Sequence, residues 1–356
     1  MIFFAKGIYK NCLSWYNNYQ CVTFGNQTTF FAFQEEIMKY YLGIDIGGMS
    51  IKCGLAGADG NVVFQKAIVT NPWQDYQITV KEMADLCADV VKSAGATMAD
   101  VVACGMGIPG TIDAERGVIT YSNNINFHNV PIVEEFRKHL DIPTFIGNDA
   151  NLATLGEMMF GSAKGSKDII FVTLGTGVGT GIIVDGKMII GKGGAGAEGG
   201  HITLKFGGEP CSCGRRGCWE AYASATALIR QTKRAIEKNP ESLLKAVAEE
   251  QGSVSGKTAF EAASRGDGIA RNVINMYVKY VAEGLISLIN IFRPECIVIG
   301  GGISNTGDAF FEALQKRVDH YSYGGTTCPR VSVRRAALKN DAGILGGVAL
   351  ALSETN

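Results

Sequence analysis

Residues 168–184 read DIIFVTLGTGVGTGIIV. The run Asp168–Leu174 reads as a buried strand, Gly175–Gly179 as a glycine turn, and Gly181–Val184 as the returning strand, ending at the turn Asp185-Gly186. A short apolar, β-branched run bounded by glycine is the pattern of a strand covered on both faces. The same grammar occurs earlier in the chain. Tyr41–Ile46 reads as a buried strand, Gly47-Gly48 as a turn, Ile51–Leu55 as its return, and Asp59-Gly60 as a hairpin into Val62–Gln65. Each copy continues into mixed helix and strand. The first leads to a helix at Val80–Val91, strand Val101–Gly105, a helix at Ile132–Leu140, strand Thr144–Ile146 and a helix opening at Asn148–Asn151. The second leads to helices at Ala223–Ile236 and Asn272–Phe292, strand Cys296–Ile299, the turn Gly300-Gly301-Gly302 and a small-residue helix at Ala342–Leu352. Two such halves predict a duplicated α/β architecture with a cleft between them.

Composition agrees with a soluble two-domain protein. The chain has 356 residues, a net charge of −1 and 46% hydrophobic content, which excludes a basic nucleic-acid surface. No apolar run approaches the ~18 residues of a membrane span, so neither a membrane nor a nucleic acid is an expected partner. Glycine, at 46 residues, is well above average use and is clustered in turns. Of ten cysteines, Cys53, Cys87, Cys104, Cys296 and Cys328 lie scattered in apolar or strand-like contexts, where reduced buried thiols are expected. A reducing cytoplasm fits this usage.

The segment from His201 to Glu220 reads HITLKFGGEPCSCGRRGCWE. His201, Cys211, Cys213 and Cys218 form a Cys₃His set, a structural zinc composition whose thiolates disfavour magnesium and calcium. Gly207, Gly208, Gly214 and Gly217 allow the reversals that bring the ligands together. Three unrelated loop thiols would be the plain alternative, but the segment has hardly any side chains with which to build a core instead. Glu198 and Glu220 frame the loop, so the metal is expected to shape a polar pocket rather than to react.

Three glycine segments invite an anion: Asp45-Ile46-Gly47-Gly48, Leu174-Gly175-Thr176-Gly177-Val178-Gly179 and Gly300-Gly301-Gly302. Without a Cβ, their amides can converge on phosphate oxygens. Any one of them could be only a hairpin turn, and none is followed by the Gly-Lys-Ser/Thr of a P-loop. Three such turns, each after a buried strand, are more specific. Asp45 either binds magnesium through water or caps its own turn. Asn148-Asp149 either caps a helix or holds a substrate hydroxyl and accepts its proton. Asn124 is a weaker candidate, because asparagine is common in turns.

These residues resemble the ROK family of repressors and sugar kinases, and within it the bacterial glucokinases, from Met38 to about Leu352. Gly43–Gly48 is similar to the first phosphate motif, Gly105–Gly110 to the sugar-side turn that includes Gly107 and Gly110, and Asn148–Asn151 to the catalytic motif. Leu174–Gly181 is similar to the second phosphate motif. Glu198-Gly199-Gly200-His201, with the three cysteines and Glu220, is similar to the zinc and sugar signature.

The resemblance implies an actin-like pair of ribonuclease-H-like domains closing on a hexose and ATP–magnesium. In it, residues 38–153 with a C-terminal helix at 338–356 would form the small domain, and 154–337 the large one with the zinc insertion. Asp149 would take the proton from the sugar 6-hydroxyl. Asn124, Asn148, Glu198, His201 and Glu220, with Gly107 and Gly110, would bind the sugar. Asp45, Gly47, Gly48, Gly175, Thr176, Gly177, Gly301 and Gly302 would bind phosphate. Glucose is the expected substrate, with N-acetylmannosamine, allose or fructose as alternatives, and a homodimer or homotetramer is the expected assembly. At Met49 the chain departs from the family, where threonine commonly follows the two glycines; Ser50 could supply the hydroxyl. A sugar-responsive repressor of the same family would carry a winged helix first, whereas only about 37 residues precede Met38, without a basic recognition helix. Those residues are crowded with aromatics and asparagines and show neither period nor paired-strand pattern, so they are expected to lie outside the working fold, with Met38 as a natural start.

Overall fold

The computed structural model describes residues 39–122 and 125–355 in full, together with three strands before them. Those strands, β1 (Ser14–Tyr16), β2 (Tyr19–Phe24) and β3 (Gln27–Ala32), pair antiparallel in the order β1-β2-β3. This corrects the expectation that the segment has no paired strands. The signal was present: two residues separate Tyr16 from Tyr19, and Gly25-Asn26 separates Phe24 from Gln27, the spacing of tight hairpins. The first 38 residues form one compact unit and residues 39–356 another.

In the larger unit the duplication is plain. The first sheet contains β4 (Tyr40–Ile46), β5 (Ser50–Gly57) and β6 (Val62–Val69), an antiparallel meander. Helix α1 (Tyr76–Ser93) returns the chain to β7 (Val101–Ile108), parallel to β4. Short strands β8 (Thr111–Asp113), β9 (Val118–Tyr121) and β10 (His128–Val130) form a side sheet that the sequence reading did not foresee. Helix α2 (Ile132–Arg137) then leads to β11 (Thr144–Asn148), parallel to β7, and α3 (Asp149–Met159) follows directly. The order is β11-β7-β4-β5-β6.

The second sheet repeats that plan with β12 (Ile169–Leu174), β13 (Val178–Val184) and β14 (Lys187–Met188) as the meander. The crossover to the next strand is long. It holds the Cys/His loop and helices α4 (Glu220–Ala223), α5 (Ala225–Lys238), α6 (Leu243–Glu250), α7 (Thr258–Ser264) and α8 (Gly268–Phe292). Strand β15 (Cys296–Gly300), helix α9 (Asp308–Tyr321), strand β16 (Ser332–Arg335) and helix α10 (Ala342–Thr355) complete it. The order β14-β13-β12-β15-β16 mirrors the first sheet strand for strand. This is the actin-like two-domain fold.

The two halves exchange helices. Helix α10 lies against the first sheet: a Cβ on Gly43 or Gly105 would collide with the carbonyls of Ile344 or Gly347. Helix α3 lies against the second, where Gly181 makes room for Thr154 and the Ala150 carbonyl. The two helices also meet, with Gly346 against Leu152. Fully buried Glu157 on α3 stitches the crossing. Its carboxylate accepts from Ser162 N at 2.7 Å, Leu338 N at 2.8 Å and Ala337 N at 3.2 Å, so a buried charge is matched by amides. No helix among the described residues is long and apolar enough to cross a membrane.

Candidate active site

The strand–helix junction at Asn148-Asp149 sits where the halves meet. Asn148 is the N-cap of α3: its Oδ1 accepts from Ala150 N at 3.0 Å and Asn151 N at 3.3 Å. Its Nδ2 donates to the Gly110 carbonyl at 3.2 Å, so the capping residue also fixes the turn after β7. Gly110 has φ of +125° and packs against the Tyr121 carbonyl, where no other residue fits. Asp149 is the first residue of α3, and its Oδ1 accepts from Ala150 N at 2.8 Å.

The Asp149 carboxylate is deep between protein walls yet open to the groove. Burial pushes its pKa above the ordinary aspartate range; the charges of Asp45 and Glu198 push the same way, while the Ala150 amide opposes them. Asp45, at the end of β4, pairs with Gly107 of β7 in register, and Gly107 packs toward Leu152 and the Asp149 backbone. Asp45 does not cap its turn. It faces Lys52 across the meander at 3.4 Å, and the turn is closed instead by Gly47 N to Ser50 O at 3.0 Å and Thr70 Oγ1 to Gly47 O at 2.7 Å.

A cavity of about 320 Å³ joins Asp45, Lys52 and Asp149 to Gly301, Gly302, Ser304 and Asn305. Lys339, Asn340, Ala342 and Gly343, at the start of α10, form another wall. Of the three glycine turns only Gly300–Gly302 lines this cavity. Gly47 and Gly48, and Gly175, Thr176 and Gly177, are outside its lining. A larger concavity of about 900 Å³ runs along α9, and neither Asp149 nor any of the three glycine turns lines it.

The second glycine turn is fastened from outside its sheet. Ala225 N donates to Gly175 O at 2.8 Å and Thr226 Oγ1 to Thr176 O at 2.8 Å. The Glu220 carboxylate accepts from Val178 N at 3.0 Å with one oxygen, and from Ser212 Oγ at 3.0 Å and Cys211 Sγ at 3.4 Å with the other. Glu220 therefore joins the turn to the Cys/His loop. The segment carrying Glu198 and His201 is held to β13 by Gly199 N to Thr180 Oγ1 at 2.8 Å.

His201, Cys211, Cys213 and Cys218 bring their ligand atoms within 4.8 Å of one another. His201 Nδ1 is 3.6 Å from Cys211 Sγ, and Cys213 Sγ is 3.7 Å from Cys218 Sγ. Zinc–sulfur bonds of about 2.3 Å place tetrahedral sulfurs about 3.8 Å apart, so the set has the size of a zinc tetrahedron; the spacing is far beyond a disulfide bond. Next to it, fully buried Trp219 donates its indole N–H to Tyr280 O at 2.8 Å, and Gly284 leaves α8 room for the ring. The loop is thus bolted to the core of the second half. Asn124 lies outside the described residues.

The site includes residues that sequence reasoning missed. Ser304, Asn305, Lys339 and Asn340 line the cavity although none belongs to a glycine turn. Their signal was weak: Asn340-Asp341-Ala342-Gly343 is a small-residue helix start, a common place for anions.

Paired sheets with exchanged helices and a carboxylate at their junction define a phosphotransferase class of the actin-like type. The chain belongs to the ROK family, whose family model matches residues 41–354. A glucokinase of Halalkalibacterium halodurans is 34% identical over 323 residues, covering 89% of this chain and 96% of the relative. A xylose repressor of Caldicellulosiruptor bescii is 30% identical over 313 residues, covering 88% of this chain and 78% of the repressor. The crystal structure of a ROK family glucokinase from Streptomyces griseus with glucose and AMPPNP superposes with a TM-score of 0.75 at 32% identity, covering 88% of this chain and 99% of that one.

Proposed function

We propose that this chain is an ATP-dependent hexose kinase that phosphorylates glucose at its 6-hydroxyl. The carrying observation is Asp149 at the head of α3, open to the groove and adjoining the cavity walled by Gly301, Gly302 and the start of α10. Identity of 34% to a glucokinase, against 30% to a xylose repressor, over nearly the same share of this chain supports a kinase over a repressor. A purified chain assayed with ATP over a hexose panel, including N-acetylmannosamine, allose and fructose, tests the assignment. Glucose 6-phosphate as the main product is expected, and preference for another sugar would replace the substrate named here.

In this reading Asp149 accepts the hydroxyl proton as the γ-phosphoryl group moves in line to the sugar oxygen. Its pKa, raised by burial and by the charges of Asp45 and Glu198, makes it a better base than an ordinary aspartate. Glu198, Glu220, Asn124, Asn148 and the free edge of His201 hold the other hydroxyls, with Gly107 and Gly110 giving the backbone close approach. Asp45 would hold, through water, the magnesium that accompanies ATP, which would supply neutralising charge to the phosphates. Glycine amides at 47–48, 175–177 and 301–302 stabilise the spreading negative charge.

His201, Cys211, Cys213 and Cys218 would hold a zinc ion with no position left for substrate, which would make it structural. By holding the loop in place it would keep Ser212, whose hydroxyl donates to Glu220, in position to fix that acid. We divide the fold into a small domain, 38–153 completed by 338–356, and a large domain, 154–337. Buried free thiols at Cys53, Cys87, Cys104 and Cys296 fit a reducing cytoplasm, and a homodimer or homotetramer is the assembly we expect.

A further inference from the structure

We propose that Lys339 is a positioning residue for the nucleotide triphosphate, acting beside the Gly300–Gly302 turn; this rests on the kinase reading. Four charged residues line the 320 Å³ cavity: Asp45, Asp149, Lys52 and Lys339. Lys52 is taken up by its ion pair with Asp45. Asp149 is left as an uncompensated anion where a polyanionic donor must approach. Lys339 is the one cation lining the cavity that makes no ion pair among the described residues.

The backbone supports a ligand role. Lys339 has φ of +50°, a left-handed conformation that a side chain adopts at a cost and that glycine adopts freely. Keeping lysine at such a position is the pattern of local strain held at a working site. Lys339 also stands directly ahead of α10, whose first residues Ala342 and Gly343 line the same cavity. A cation and the positive end of a fourteen-residue helix therefore line the cavity together, a setting that suits an anion. Gly301, also in the lining, has φ of +82° and abuts the Leu174 backbone, which brings the third glycine turn to the cavity.

Calorimetric titration with magnesium ATP and with magnesium tripolyphosphate, without sugar, tests this in the full chain. Lys339→Gly should weaken both ligands about tenfold, the scale of one charge-assisted hydrogen bond, while the KM for sugar stays unchanged. The same substitution should raise the thermal midpoint by relieving the left-handed backbone. Lys339→Arg should bind within about threefold of wild type, since it keeps the cation. Unchanged binding by Lys339→Gly would overturn the proposal. So would Lys339→Arg binding as weakly as Lys339→Gly, or wild type binding neither ligand. Because binding is read without turnover, failure of every hexose as acceptor would sink the kinase reading and leave this measurement standing.

Discussion

The two halves share one strand order and differ in how they hold their glycine turns. In the first half, Gly47 and Met49 are tied within their own sheet, through Ser50 and through Thr70 at the end of β6. In the second, Gly175, Thr176 and Val178 are tied to Ala225, Thr226 and Glu220, all from the crossover between β14 and β15. The first half needs only α1 to make that crossover, whereas the second fills it with the Cys/His loop and five helices. Duplication supplied the frame twice; the insertion tied the glycine turn of one copy to the Cys/His loop. On the proposed function that asymmetry would assign distinct tasks, with the proposed proton acceptor growing out of the first sheet and the proposed sugar-binding acids fixed by the second.

The largest effect expected tests the shared junction. Asp149→Asn keeps an oxygen for the Ala150 amide but removes the base, so kcat should fall by roughly 10²–10⁴ while glucose affinity measured by calorimetry survives. Full turnover in this variant would break the assignment of the first half. Next comes the insertion. Purified chain should contain one zinc by elemental analysis, and Cys213→Ala should lose it together with roughly 10–100-fold in sugar affinity, the scale of losing support around a metal site. An active, metal-free protein would erase the asymmetry between the halves.

Packing at the helix exchange should cost less. Gly43→Ala drives a methyl into the Ile344 carbonyl and should lower stability by about 1–3 kcal/mol, read by denaturant unfolding; no change would mean that α10 is not seated on the first sheet. The smallest effect is in pH. The acid limb of kcat/KM should lie above the ~3.9 of an ordinary aspartate, and Glu198→Gln should move it down, because one negative neighbour is gone. The sign for stability follows. A carboxyl whose folded pKa is raised stabilises the fold only while protonated, and that contribution is lost as pH rises through the folded value. Asp149→Asn should therefore be more stable than wild type at neutral pH, with the gap closing toward pH 4. A gap that widens on acidification would contradict the burial of this acid. Finally, a chain starting at Met38 should unfold at the same temperature as the full chain, since residues 39–356 form their own compact unit; a clear loss would make the aromatic segment structural.

The sequence by itself determined the period and punctuation of the fold. Buried runs such as Tyr41–Ile46 and Asp168–Leu174, each stopped by glycines, could only be strands meeting a tight turn, and their repetition implied two similar sheets. The Cys₃His spacing was equally legible, because four ligands within eighteen residues leave little freedom in where they meet. Tertiary structure alone decided what stands opposite what. Asp45 and Asn148-Asp149 each had a local reading, and local sequence could not choose between capping and chemistry. Asn148 does cap, Asp45 does not, and the outcome depended on Lys52 across a strand and Gly110 on a neighbouring turn. Lys339 and Glu157 were invisible for the same reason. One sits in a polar stretch and the other inside a helix, and their meaning comes from cavity walls and amides brought near by residues up to 181 positions away. Short-range order is written in residue periodicity, whereas electrostatics and hydrogen bonding act through space, and only the folded chain fixes those distances.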